Sequence, residues 1–499
     1  MSGRLFPRRG APALISAKGR AAQLPRFAPF MRSYAAASGS SLLADWTGTS
    51  TSANGISARE AQALRRRARE LRENSSIVAR YSALCRDNII GPHGPTLAAF
   101  VPSTRGKNVE ASAGIERRWY QWATSVTADG RTLTDALALF VESWKIEGEG
   151  LWIVETRGNT LVVTPVDADR LDQAYSETLR NGNVVEQSVE TDATGRVVAY
   201  WIWDADADDI TRRRRRRWPA ESILYKGHCT RPNQRRGITP LAPVMVLIQH
   251  LEKTDEALVV LNRTTASKMF QYVAQGEWAP PLTNPDGSPL DPSMQQDEVA
   301  PGGQWVPPWG YRAEAIDPGN PTQEYGVLSN SLQRRIAAGL NVAHTSLSGD
   351  LSEANYGSQR GGLIGERDAW MVDQEALIDT VLRPLFAMWL RLEIMTRRVV
   401  LPSGVVLADV LEQTEWHPRR WAWIDPLKDA EGIRALLEMR LTSRTRELNK
   451  MGVDVRTLFQ EIADEEQMAK DVGIQLPTAS APTTTTQSPA PERGLRAVA

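Results

Sequence analysis

Asp350 and Glu353 are the residues whose type and spacing come nearest to a reactive pair in this chain. Two carboxylates three positions apart could share a divalent cation, as in a nuclease acting on DNA. No third ligand is apparent. The five histidines, His93, His228, His250, His344 and His417, are scattered without ligand spacing and read as structural or surface groups. The phosphate-loop pattern GxxxxGK[ST] is absent, as are the GxSxG elbow, CxxC and HExxH. The usual signatures of an ATPase, a serine hydrolase and a zinc enzyme are therefore missing. Cys85 and Cys229 cannot build a disulfide framework, which points to a reduced, intracellular chain. Neither catalysis nor a cofactor nor a metal is expected.

The two carboxylates lie within "HTSLSGDLSEANYGSQRGG", residues 344–362, a polar stretch between two segments of helical periodicity. A compact domain seldom carries a connection longer than about a dozen residues unless it is a lid, a binding loop or disorder. The elements that flank it must therefore say what it is for.

The expected fold class is mainly α with a smaller β-rich part. A first helix is predicted from Ala58 to Asn88, with Ser57 as N-cap and Glu60 three positions later as in a capping box. Its Arg65, Arg66, Arg67, Arg69 and Arg72 read as a solvated face, with a DNA or partner contact as the lesser alternative. Helices follow around Trp119–Trp122 and over Thr132–Ile146. Residues 151–227 are β-rich hairpins, and the run Arg212–Arg217 reads as a solvated loop between two strands. From Ile238 to Val273, Leu241, Val244, Ile248, Leu251, Leu258 and Leu261 form one stripe, predicting a helix roughly 50 Å long. Residues 275–321 are rich in Pro and Gly and predict an irregular module. A second amphipathic helix carries Tyr325, Leu328, Leu332, Ile336 and Leu340, and a third runs over 363–398, bent at Pro384. Short charged helices continue to about Val472.

Lys+Arg and Asp+Glu both total 59, so any attraction to DNA must come from local patches. No apolar run approaches the roughly 20 residues of a membrane span. Residues 1–44 are basic and acid-free, the composition of an organellar transit peptide or of a disordered arm, and the arm is the reading taken for 1–55. The low-complexity end, 475–499, should also be disordered. Three apolar-striped helices in one chain suggest packing against copies of itself, and a closed ring satisfies head-to-tail interfaces.

Several stretches carry a resemblance. They are "RYSALCRDNIIGPHG" (80–94), "HCTRPNQRRGITPLAPVMVLIQHLEKTDEALVVLNRTTAS" (228–267), "AAGLNVAHTSLSGDLSEANYGSQRGGLI" (337–364) and "WIDPLKDAEG" (423–432). Together they resemble the lambda-type portal family of tailed bacteriophages, over roughly residues 56–470. The hexa-arginine run is not part of that pattern.

The resemblance implies a ring of about twelve subunits at a capsid vertex, through which DNA is packaged and ejected. It implies a wing at 56–236, a stem helix at 237–274, a clip at 275–321 and a returning stem helix at 322–343. The 344–362 segment would be the tunnel loop, 363–398 a long wing helix and 399–474 the crown. The implied channel residues are Ser346, Ser348, Asp350, Glu353, Asn355, Tyr356, Ser358 and Arg360. Leu241, Val244, Ile248, Leu251 and Leu258 would pack the stem. The implied partners are further copies of the chain, double-stranded DNA without sequence specificity, the terminase, the major capsid protein or scaffold, and head-completion or tail proteins, with no membrane. The implied location is the virion, after assembly in the host cytoplasm. The competing readings are a metal-dependent DNA-processing enzyme and another minor capsid protein.

Overall fold

The computed structural model describes residues 51–474, apart from 105, 206–213, 267–269, 275–310 (Ser288 excepted), 316–321, 353–355, 423–424, 452 and 454. The terminal arms and nearly all of the expected 275–321 clip lie outside the described residues. Within them the chain is mainly α with a smaller β part, as the periodicities predict.

The single first helix is in fact two, α1 (Ala53–Asn74) and α2 (Ser76–Ile89), because Ser75 leaves the helical region at φ −96°, ψ 122°. Ser57 is not its N-cap. It sits inside α1, fully buried, and its hydroxyl donates to Gln187 Oε1 at 2.7 Å. The arginine face is only partly solvated. Arg66 and Arg67 are exposed, whereas Arg65, Arg69 and Arg72 turn inward onto carboxylates.

After the short strands β1 (Thr96–Ala98), β2 (Pro102–Ser103) and β3 (Gly106–Lys107), α3 (Val109–Ala123) starts at Asn108, whose side chain accepts from Ala111 N–H. Thr132 caps α4 (Leu133–Glu142) in the same way, accepting from Asp135 N–H. A π-helical turn, Ser143–Glu147, ends it at Gly148. Gly148 has φ +93°, and a Cβ there would fall 2.4 Å from the backbone of Ile238, so only glycine fits.

The β part is antiparallel. β4 (Glu149–Arg157) lies between β5 (Thr160–Pro165) and a later strand, β11 (Ile223–Gly227). A second sheet has the order β10-β9-β8-β7-β6, from β6 (Glu177–Thr178), β7 (Val184–Glu186), β8 (Val189–Thr191), β9 (Val197–Trp203) and β10 (Arg215–Pro219). The arginine run is thus not wholly a loop: Arg215, Arg216 and Arg217 are strand residues facing Trp203, Ile202 and Trp201.

The long helix is shorter than its stripe. α5 spans Met245–Ala266, so Leu241 and Val244 precede it and 270–274 is strand β12 (Phe270–Ala274), paired with β13 (Tyr311–Ala315). Pro240 and Pro243 explain the late start, since each lacks the N–H a helix interior needs. α6 (Thr322–Gly339) follows. A Cβ on Gly339 would sit 2.4 Å from Val244, which shows how closely α6 meets the lead-in to α5. Leu241, Val244, Ile248, Leu251, Ile336 and Leu340 are all buried, while Leu258 and Leu332 are half-buried and Leu328 is exposed. Burial on α5 and α6 runs out together, toward Ala266 and Thr322.

α7 (His344–Ser348) and α8 (Tyr356–Leu377) come next. The bend expected at Pro384 is a π-helical turn, Ile378–Leu382, that leads into α9 (Arg383–Met395). α10 (Leu407–Gln413), β14 (Glu415–His417), α11 (Pro426–Glu438), α12 (Arg444–Lys450) and α13 (Val455–Val472) complete the order. β14 pairs with β1, closing the C-terminal part onto the N-terminal part. At the centre of the main core Trp119 meets Phe386, Trp389 and Trp416 edge to face at 5.6, 5.2 and 5.6 Å. Such pairs add about 0.5–1.5 kcal/mol each beyond their buried area. A smaller core, including Leu151, Ile153, Val189 and Ile202, lies between the two sheets.

Candidate functional site

The 344–362 stretch is less of a loop than its composition suggests. Residues 344–348 form α7, and helix resumes at Tyr356. Leu347 is buried, which pins α7 to the core. Gly349, at φ +72°, supplies the left-handed residue that ends α7. Beyond it Asp350 accepts the Ser352 N–H at 2.9 Å, and this bond holds its carboxyl below the usual range.

Glu366 on α8 organises the segment from beneath. It is buried, and it accepts from Ser346 Oγ at 2.6 Å, from the Trp370 indole at 3.2 Å and from the Ala343 N–H at 3.4 Å. Arg80 on α2 donates to the Ser346 carbonyl at 3.0 Å. Ser348 returns its hydroxyl to the His344 carbonyl at 2.8 Å. Arg360 lies on α8 and pairs with Asp429 of α11 at 2.7 Å. Two of the eight named residues are therefore occupied inside the fold: Ser346, on α7, against Glu366 and Arg360 against α11. Ser348 and Asp350 are exposed at the turn. Glu353 and Asn355 lie outside the described residues, and Tyr356 and Ser358 contribute the first turn of α8. Among the described residues no group of three or more His, Cys, Asp or Glu is placed to hold a metal ion.

A second polar constellation joins the arm of α1 to the lead-in of α5. Glu149, at the start of β4, is fully buried and accepts from Arg65 Nη2 at 2.7 Å, Arg236 Nε and Nη2 at 2.6 and 2.7 Å, Tyr225 Oη at 2.6 Å and Gly237 N–H at 2.9 Å. Burial pushes its carboxyl up, but Arg236 and Arg65 outweigh it and hold the pKa at about 2. The second arginine would leave excess positive charge there, and Asp169, paired with Arg65 and Arg69, supplies the balance. Arg236 also donates to the carbonyls of Ala168, Leu171 and Gln187, so its five N–H donors are all used. Residue types alone did not single out Glu149, Arg236 or Glu366. A signal for Arg236 and Gly237 was present, since both stand inside the 228–267 stretch that carries the family resemblance.

Comparison with known proteins gives the following. The family model described as phage portal protein, lambda family, matches residues 39–374. The chain is 26% identical over 445 residues to a probable portal protein of Halomonas phage phiHAP-1, covering 87% of this chain and 86% of that one. It is 27% identical over 158 residues to portal protein B of Escherichia phage lambda, covering 31% of this chain and 30% of that one. Among solved structures, a chain from the neck of an empty GTA particle aligns with a TM-score of 0.44 at 13% identity, over 79% of this chain and 94% of that one. An HK97 family phage portal protein from Corynebacterium diphtheriae aligns with a TM-score of 0.32 at 10% identity, over 59% and 83%.

Proposed function

This chain belongs to the lambda family of phage portal proteins, and we propose that about twelve copies close into a ring whose channel is lined by the turn that follows α7. The portal role itself, as a component of the phage virion, comes with the family. The observation that supports the finer reading is the segment between α5 and α8. Its two helices α5 and α6 share a core only over the halves nearest Met245 and Gly339. Val259, Val260, Val327 and Leu328 are left exposed, a face that neighbouring copies would cover.

In this reading α5 and α6 are the stem, the 275–321 module between them is the clip, and the terminase docks on the clip. Residues 56–236 with α8 and α9 form the wing, which meets the capsid protein or scaffold. The residues after 399 form the crown, and head-completion or tail proteins bind the finished ring. Assembly takes place in the host cytoplasm. The portal hydrolyses nothing; a separate ATPase moves the DNA.

A turn facing moving DNA has to avoid gripping it, because each phosphate neutralised by a cation adds affinity through counterion release. Asp350 at the exposed turn and Arg360 held by Asp429 fit that requirement. Contacts go to the phosphate backbone or to helix shape, since a channel passes every sequence. Negative-stain microscopy of the purified chain tests the reading: rings with a central hole are expected. Stable monomers at micromolar concentration under capsid-like conditions would overturn it.

A further inference from the structure

The arginine run is not among the stretches that carry the family resemblance, and the channel reading makes no use of it. Among the described residues its strand β10 is an edge strand, paired only with β9. The direction of its free hydrogen-bonding groups follows from two contacts. Trp201 donates its N–H away from β10, to the Ser188 carbonyl at 2.8 Å, and Asp204 N–H reaches the Arg214 carbonyl at 3.0 Å. Alternation along the ladder then turns the backbone N–H and C=O of Arg215 and Arg217 outward along the edge. Pro219 has the same parity, where a missing N–H costs no ladder bond.

The side chains on this edge are held in place. The Arg215 guanidinium lies between the rings of Tyr175 and Trp203, 4.3 and 4.6 Å from their centroids, and pairs with Asp172 at 2.7 Å. Arg217 clasps Glu190 with bonds of 2.7 and 3.0 Å. Arg216, on the opposite face, stacks on Trp218 at 4.0 Å, and no carboxylate pairs with it among the described residues. Charge on an edge strand usually protects it from pairing, by mobile and solvated side chains. Here Arg215 and Arg217 are held by partners, and among the described residues no strand pairs with their outward backbone groups.

We propose that the β10 edge captures an acidic, extended segment of a partner protein by strand addition. The added strand bonds to the outward groups of Arg215 and Arg217 and places a carboxylate opposite Arg216. A DNA duplex is the poorer fit: it cannot use the backbone edge, and its phosphates would approach the Asp172 and Glu190 carboxylates. The inference stands apart from the channel reading of the turn after α7.

The test uses the full chain, a fluorescein-labelled octapeptide of alternating Glu and Val, and a short labelled DNA duplex. Anisotropy should show peptide binding that weakens with salt. Arg216→Glu should weaken it by about tenfold or more, since it opposes like charges, while Arg216→Lys retains most of it. Hydrogen exchange should slow at the Arg215 and Arg217 amides on peptide addition, with little change at Arg216, whose N–H already bonds to β9. Peptide binding without that slowing overturns strand addition. Tighter binding of the duplex than of the peptide, lost in Arg216→Glu, assigns the edge to nucleic acid instead. Binding of neither, or indifference to Arg216→Glu with an unchanged circular dichroism spectrum, reduces the run to edge protection.

Discussion

Arg236 and Glu149 form a bidentate pair with both side chains fully buried, Nε to Oε1 at 2.6 Å and Nη2 to Oε2 at 2.7 Å. The pair ties the segment that leads into α5 to the first residue of β4. A buried ion pair of this kind is retained at high desolvation cost, so removing one partner harms more than the pair itself is worth. Arg236→Ala should destabilise the chain by about 3–5 kcal/mol, because the buried Glu149 loses its bidentate partner and the carbonyls of Ala168, Leu171 and Gln187 each lose a donor. Denaturant unfolding of the two chains measures this directly, and a loss under about 1 kcal/mol would mean that water replaces the guanidinium.

The same carboxylate predicts an acid-labile joint. Its value falls from 4.5 to about 2 on folding. A depressed carboxyl stabilises the fold fully above the unfolded value and loses that contribution as pH falls through the folded one. Stability should therefore drop between pH 4.5 and about 2, by on the order of 3 kcal/mol from this group. Melting temperature followed over that range should fall, and Glu149→Gln should flatten the fall while starting from a lower value.

How far these features were legible differs by element. The 3/4 apolar spacing found α5 and α6, because burial against a partner imposes it whatever the partner is. It overran the start of α5, since Leu241 and Val244 keep the stripe while Pro240 and Pro243 exclude the helix. Arg65, Arg69 and Arg72 of α1 depart from the solvated face, which Arg66 and Arg67 keep, for a related reason. Their partners, Glu142, Glu147, Glu149 and Asp169, come from distant segments, and a local charge run carries no record of them. The polar 344–362 stretch concealed α7 in the same way: Ser346 is polar because Glu366 waits beneath it, not because it faces water.

Leu251 tests the shared core of α5 and α6. It is 2% exposed, and Leu251→Asp would bury a carboxylate with no partner. That should cost several kcal/mol and impair folding or ring assembly. A normal yield of rings from this variant would mean that the stripe can turn away from the core.

Asp350 gives the sharpest test of the channel reading. It is exposed, and its side chain accepts the Ser352 N–H at 2.9 Å. Exposed substitutions of this kind usually shift stability by less than about 0.5 kcal/mol, so Asp350→Lys should fold and assemble normally. In a ring every copy repeats the change, which replaces a collar of negative charge with a positive one. DNA carries one charge per roughly 1.7 Å of axis, so the collar should attract phosphates, most strongly at low salt. Packaging or ejection should then slow, and the defect should shrink as ionic strength rises. The measurement is the length of DNA packaged by Asp350→Lys particles across a salt series. Wild-type packaging at every salt concentration would remove the turn from the channel. Failure of the rings to form would make it an assembly element, because a turn that only faces DNA has no reason to stop copies from closing.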